Sequence, residues 1–202
     1  MPEFSPAMIA AVDIGSPMAG RLGWAVLPNE RTGKDIPKLV ALITEALREG
    51  PVALGFEAPL WVPMRADVMT LTKARVGEGS RSWSGFAGPT VLTTGLGVIP
   101  YVLTAIRKSA PDATATLDFL DPPSEPGSLL LWEAFVSADD KGDGDEDDAL
   151  IAARAFQRAC ADLPGSQKLT PEPCFNLAGA MLLRTGWSSD LSLLEAEMLV
   201  VK

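Results

Sequence analysis

Apolar positions along the chain gather into a few short uninterrupted runs, separated by stretches with helical spacing. Residues 9–14 are a continuous apolar run that carries one acid, Asp13, and the turn Gly15-Ser16-Pro17 follows. Residues 22–27 read as a second strand, and the short link between the two predicts an antiparallel hairpin. Residues 28–33 read as a loop. Asp35 is suited to cap a helix in which Ile36, Leu39, Val40, Ile43, Ala46 and Leu47 keep helical spacing until Gly50. Residues 52–56 are then a buried strand that ends at Glu57, with Pro59 forbidding its continuation.

The spacing next predicts a helix over residues 67–75, a Gly- and Ser-rich loop over 77–88, and a long, largely apolar helix over 89–108. Gly95 and Gly97 weaken that long helix, each costing about 1 kcal/mol relative to alanine. Residues 128–136 form the next strand. An acidic loop over 139–147 leads into a helix with Leu150, Ala153, Phe156 and Cys160 on one face, stopped by Pro164-Gly165. Further on, a short helix or strand is expected around Met181 and a terminal strand over 198–201. Strands that alternate with helices imply an α/β fold whose mainly parallel sheet is covered by helices on both faces. The opening hairpin makes the sheet mixed. No internal repeat or low-complexity linker divides the chain, so residues 1–202 read as one domain with 165–202 as a C-terminal extension.

Composition narrows the chemistry. A chain of 202 residues with 47% hydrophobic and 21% charged residues can fill one core. No stretch of about twenty apolar residues suggests a membrane span, and the N-terminal run is broken by Asp13 and lacks a basic flank, which reads as strand rather than signal peptide. Cys160 and Cys174 are too few for a disulfide framework or a cysteine zinc cage, and a cytoplasmic location is expected. Histidine is absent, which excludes Ser-His-Asp and Cys-His catalysis and every histidine-ligated metal. A net charge of −9 argues against a general nucleic-acid coat and leaves a local basic groove open.

Acids fall at three comparable places: the end of the first strand (Asp13), the end of the middle strand (Glu57), and the start of the late helix. Ligands of open α/β sheets gather beyond the carboxyl ends of parallel strands. Carboxylates brought together there need protons or cations between them. Magnesium suits such a site, and two ions about 4 Å apart would serve an in-line phosphodiester attack.

The segments Ala11-Val12-Asp13-Ile14-Gly15 and Leu22-Gly23-Trp24-Ala25-Val26 resemble the opening hairpin of ribonuclease H-like proteins, including Holliday-junction resolvases of the RuvC type. Gly55-Phe56-Glu57-Ala58-Pro59-Leu60 is similar to the second acidic strand of that superfamily, and the stretch from Asp145 to Ala153 to its final acidic helix. Ala58-Pro59-Leu60 with Arg65, Asp67, Arg75 and Arg81 resembles an uncharacterised branch more closely still. The resemblance implies a Mg- or Mn-dependent nuclease, with Asp13, Glu57 and Asp148 as metal-binding catalytic carboxylates and Asp145 one turn earlier as a fourth. In the alternative register of the acidic helix, Asp147 and Asp148 are the paired acids. The third strand of the usual opening meander has no evident counterpart between Leu27 and Asp35.

Plainer roles stand beside these. Asp13 can be satisfied by amides of the Gly15 turn, Glu57 can pair with Arg65 or cap a helix, and acids at a helix start are favoured by the macrodipole alone. A calcium loop starting at Asp143 fails, since its sixth and twelfth positions are Asp148 and Arg154. Arg65, Lys73, Arg75 and Arg81 are candidates for a phosphate groove, with Trp61 and Trp83 as stacking surfaces, or for an exposed helix face offset by Asp67 and Glu78. Cys160 reads as a buried small apolar residue. The apolar segment 91–106 reads as core or as a homodimer surface. Three functions follow: a metal-dependent nuclease acting on nucleic acid, a nucleotide-binding domain of actin-like type, and a non-catalytic binding module that keeps the fold.

Overall fold

A computed structural model describes residues 3–79, 82–136 and 141–202. The two opening runs form β1 (Met8–Asp13) and β2 (Gly23–Leu27), paired antiparallel as their short link predicts. A third strand, β3 (Arg31–Gly33), adds to β2 where the sequence reads as a loop. It is three residues long and lacks apolar alternation, so only its pairing identifies it. Asp35 then caps α1 (Ile36–Ala46), its carboxylate accepting from the Lys38 amide at 3.1 Å. β4 (Val52–Glu57) runs parallel to β1, and β7 (Ser128–Ala134) runs parallel to β4. Between them lie β5 (Trp61–Pro63), α2 (Gly88–Ser109) and β6 (Thr114–Thr116). The chain continues as α3 (Asp145–Ala159), β8 (Cys174–Asn176), α4 (Leu177–Arg184) and β9 (Val200–Val201).

The result is α/β with a mixed seven-stranded sheet in the order β3-β2-β1-β4-β7-β6, β9 also pairing with β7. A separate two-stranded ribbon joins β5 to β8. Side chains alternate across the strands. Ala10, Val12, Leu54, Phe56, Leu129 and Leu131 pack on one face with α1 and α2. Ile9, Ala11, Ala53, Leu130 and Trp132 pack on the other with α3. Residues beyond 165, expected as an extension, join this body through α4 against α2 and β9 in the sheet.

One expectation changes. Residues 67–75 make only a single 3₁₀ turn, Val68–Thr70, rather than a helix. The carbonyls of Thr70, Lys73 and Ala74 accept from the Arg65 guanidinium at 2.8, 2.9 and 3.0 Å, so they are taken from helical bonding. Helix α2, by contrast, survives Gly95, Gly97 and Pro100. By length and composition alone it could cross a membrane, a test that the core helix of a globular domain also passes. Its stripe of Val98, Ile99, Val102, Leu103 and Ile106 is buried against α1 and α4, in one core with the adjoining face of the sheet.

Two glycines let α3 approach the sheet. Gly55 faces the indole of Trp132, which stacks on Phe156 of α3 with ring centroids 4.4 Å apart. A Cβ on Gly23 would collide with the backbone of Asp145 and Glu146, so β2 and the first turn of α3 meet main chain to main chain. Gly23→Ala is therefore expected to lower stability in urea by about 1–3 kcal/mol, the usual cost of overpacking. Gly97→Ala, where a Cβ meets nothing, is expected to raise it by up to about 1 kcal/mol.

Candidate metal centre

Strand alternation decides where the acids point. Asp13 follows Ile9 and Ala11 on the α3 side of β1, and Glu57 follows Ala53 and Gly55 on the α3 side of β4. The parallel register sets Asp13 directly opposite Glu57 at the carboxyl edge of the sheet. Asp148 arrives from the first turn of α3, on the same side. One oxygen from each of Asp13, Glu57 and Asp148 lies within 4.8 Å of the others.

The three are held differently. Asp148, 5% exposed, accepts from the Gly142 amide and from the Lys141 ammonium, both at 2.7 Å. Lys141 Nζ also lies 3.9 Å from Glu57 Oε1. Glu57 Oε2 is buried and accepts no hydrogen bond among the described residues. Burial, and next the charge of Asp13, push Glu57 up to about 8. Burial also lifts Asp13 to about 6, against the pull of Lys141 and with the push of Asp148 and Asp145. Burial alone would depress Lys141, but Asp148 and Glu57 outweigh it and hold the ammonium above its ordinary range.

Among the described residues, one ammonium thus faces three crowded carboxyls, with a buried oxygen still unpartnered. Such a cluster can hold a metal ion, and its all-oxygen donor set suits a hard divalent cation. Asp145 and Asp147, also expected as ligands, are not among the three acids that meet there. The Asp145 carboxylate is 3.2 Å from Lys34 Nζ, and Asp147 is exposed.

The expected phosphate groove also changes. Arg65 is paired with Glu172 at 2.9 Å through both its Nε and its Nη2. Arg75, 2% exposed, is clamped by Glu133 at 2.6 and 2.9 Å and by Glu78 at 2.9 Å. Its guanidinium covers the ring of Trp61 at 4.7 Å, so Trp61 is buried and offers no stacking surface. Lys73 is exposed, and Arg81 lies outside the described residues.

Lys141 and Glu133 were missed from sequence, though each left a signal. Lys141 is the lone base in the acidic run 139–148. Glu133 is a lone acid in an apolar strand, as Asp13 is in β1. Glu133 Oε2 accepts from the Leu60 amide at 2.8 Å and so anchors the turn just after Glu57.

Two outcomes follow. Arg75→Met strands Glu133 without its partner and is expected to cost about 3–5 kcal/mol in urea unfolding. The raised acids also give a pH profile. Between their ordinary values of 3.8 and 4.5 and their folded values of about 6 and about 8, the folded state holds protons that the unfolded chain releases. Stability is therefore fullest below that window and is lost as pH rises through it. Urea midpoints should fall accordingly, and Glu57→Gln should flatten the decline and exceed the wild type at the alkaline end. Comparison of the chain with protein-family models, curated proteins and solved structures gives no match, so function rests on the side chains just described.

Proposed function

We propose that the chain is a metal-dependent phosphodiesterase acting on nucleic acid, built on a ribonuclease H-like core. The observation that carries this reading is the meeting of Asp13, Glu57 and Asp148 from three separate elements, with an oxygen of each within 4.8 Å of the others. The topology supports it. An antiparallel β3-β2-β1 meander continued in parallel by β4 and β7 is the order such a core requires, and β3 fills the place its sequence left vacant.

Asp13, Glu57 and Asp148 would hold Mg²⁺ or Mn²⁺, which when bound supplies Lewis-acid polarisation of a phosphoryl oxygen and a water of lowered pKa. The protein's own groups do the positioning. The β1–β4 register fixes Asp13 against Glu57, and the Gly142 amide fixes Asp148. Lys141, whose side chain is 40% exposed, keeps its ammonium at the mouth of the site, where it can balance an anionic phosphodiester.

A binding module that kept the fold is the second reading. Lys141 favours it, because its ammonium already sits between Asp148 and Glu57 and partly neutralises both.

Calorimetric titration with Mn²⁺, beside Asp13→Asn, Glu57→Gln and Asp148→Asn, separates the two. Saturable binding by the wild type alone is expected. Hydrolysis of labelled DNA or RNA should drop in each variant by more than about 100-fold, since even an outer partner of a metal ligand is worth ~10–100-fold. Metal binding without hydrolysis of any nucleic-acid form would favour the module, and wild-type binding no better than the variants would sink the metal site itself.

A further inference from the structure

Beside the acids, a cavity of about 460 Å³ opens between the sheet edge and the loop that leads into α2. Glu57 and Lys141 line it, so it is continuous with the carboxylate cluster. Its walls include Trp83, Phe86, Val91 and Phe135. Its floor is the clamp of Arg75, Glu78 and Glu133, whose polar atoms are engaged with one another and with the amides of Leu60 and Trp83. A ligand would meet flat apolar surface here, with little polar edge left to read.

The wall is fixed in advance. Trp83 is pinned at both ends, its amide donating to Glu78 at 2.9 Å and its indole N–H to the Lys73 carbonyl at 3.1 Å. Phe86 is 89% exposed and sits at a φ of 52°, a left-handed conformation that costs a phenylalanine roughly 1–3 kcal/mol. Hydrophobic burial cannot repay that strain in the free protein. Strain of this kind gathers where a ligand is clamped. The lining and charge suit a planar ring against the apolar wall that Trp83 and Phe86 share, joined to an anion that reaches Lys141 and the acids beside it.

We propose that this cavity receives an unpaired nucleobase from the nucleotide whose phosphate lies against Asp13, Glu57 and Asp148. The placement of the phosphate rests on the phosphodiesterase reading above. The substrate class is then single-stranded or extrahelical nucleic acid, because a base paired inside a duplex cannot enter. Selection is by stacking rather than by base edge, so base identity matters little.

The test uses the full chain and short single strands carrying one 2-aminopurine, with a blunt duplex of the same sequence as competitor. Binding should change the 2-aminopurine emission, as stacking on an aromatic wall does, and the duplex should compete poorly. Phe86→Ala should weaken binding about tenfold, the size expected for loss of one stacking surface. Phe86→Tyr should restore it, and Mn²⁺ affinity should not move in either variant. Loss in Phe86→Ala of the emission change seen with the wild type, without hydrolysis of any strand, would uphold the base site while the phosphodiesterase reading fails. Hydrolysis with Phe86→Ala equal to the wild type, or equal affinity for duplex and strand, would overturn the base site and leave that reading standing. Loss of self-association in Phe86→Ala, by sedimentation and without any base signal, would overturn it too, assigning Phe86 to contact with a second copy.

Discussion

Two carboxyls in register at the ends of neighbouring parallel strands repel one another, and burial makes the repulsion stronger. Asp13 and Glu57 are in that position because β1 and β4 pair residue for residue. Among the described residues, no base of the sheet itself pairs with either acid. Relief comes from outside it, through Lys141 on the loop before α3 and through protons taken up at raised pKa values. The placement of α3, the glycines that let it close in and the loop ahead of it are all tied to this crowding.

The opposite face of the sheet handles charge by a different rule. Glu133 and Glu78 are buried around one guanidinium, with geometry close enough to satisfy both. That clamp is closed, since Arg75 donates to both carboxylates and the neighbouring amides supply further bonds. The cluster of Asp13, Glu57 and Asp148 is open, because among the described residues a single ammonium is shared and an oxygen of Glu57 stays bare. Buried acids of the first kind hold a molecule together. Those of the second kind could hold a cation.

Most of the scaffold could be read from apolar runs and helical spacing, because β1, β2, β4, β7, α1, α2 and α3 bury enough surface to impose a period. The short strands β3, β5, β6 and β8 could not, since three residues carry no period and their existence depends on partners distant in sequence. The stretch after Asp67 misled for a related reason: Arg65 captures its carbonyls. At the site, Asp13, Glu57 and Asp148 were legible as acids that an apolar strand end or a helix start must account for. Asp145 and Asp147 looked equivalent to Asp148 until the rotation of α3 set one against Lys34 and the other toward solvent. Arg75 looked like a surface base because sequence gives no sign that Glu133 lies beneath it.

Glu133 does more than close a clamp. By holding the Leu60 amide it ties the turn after Glu57 to β7 and, through Arg75, to the wall that carries Trp83. Asp148, meanwhile, depends on how α3 seats on the other face. The cluster is a keystone between two separately packed layers, and it is assembled only while both are seated. Packing defects far from any acid, on either side of the sheet, would register there as carboxylates drawn out of reach of one another before the molecule as a whole unfolds.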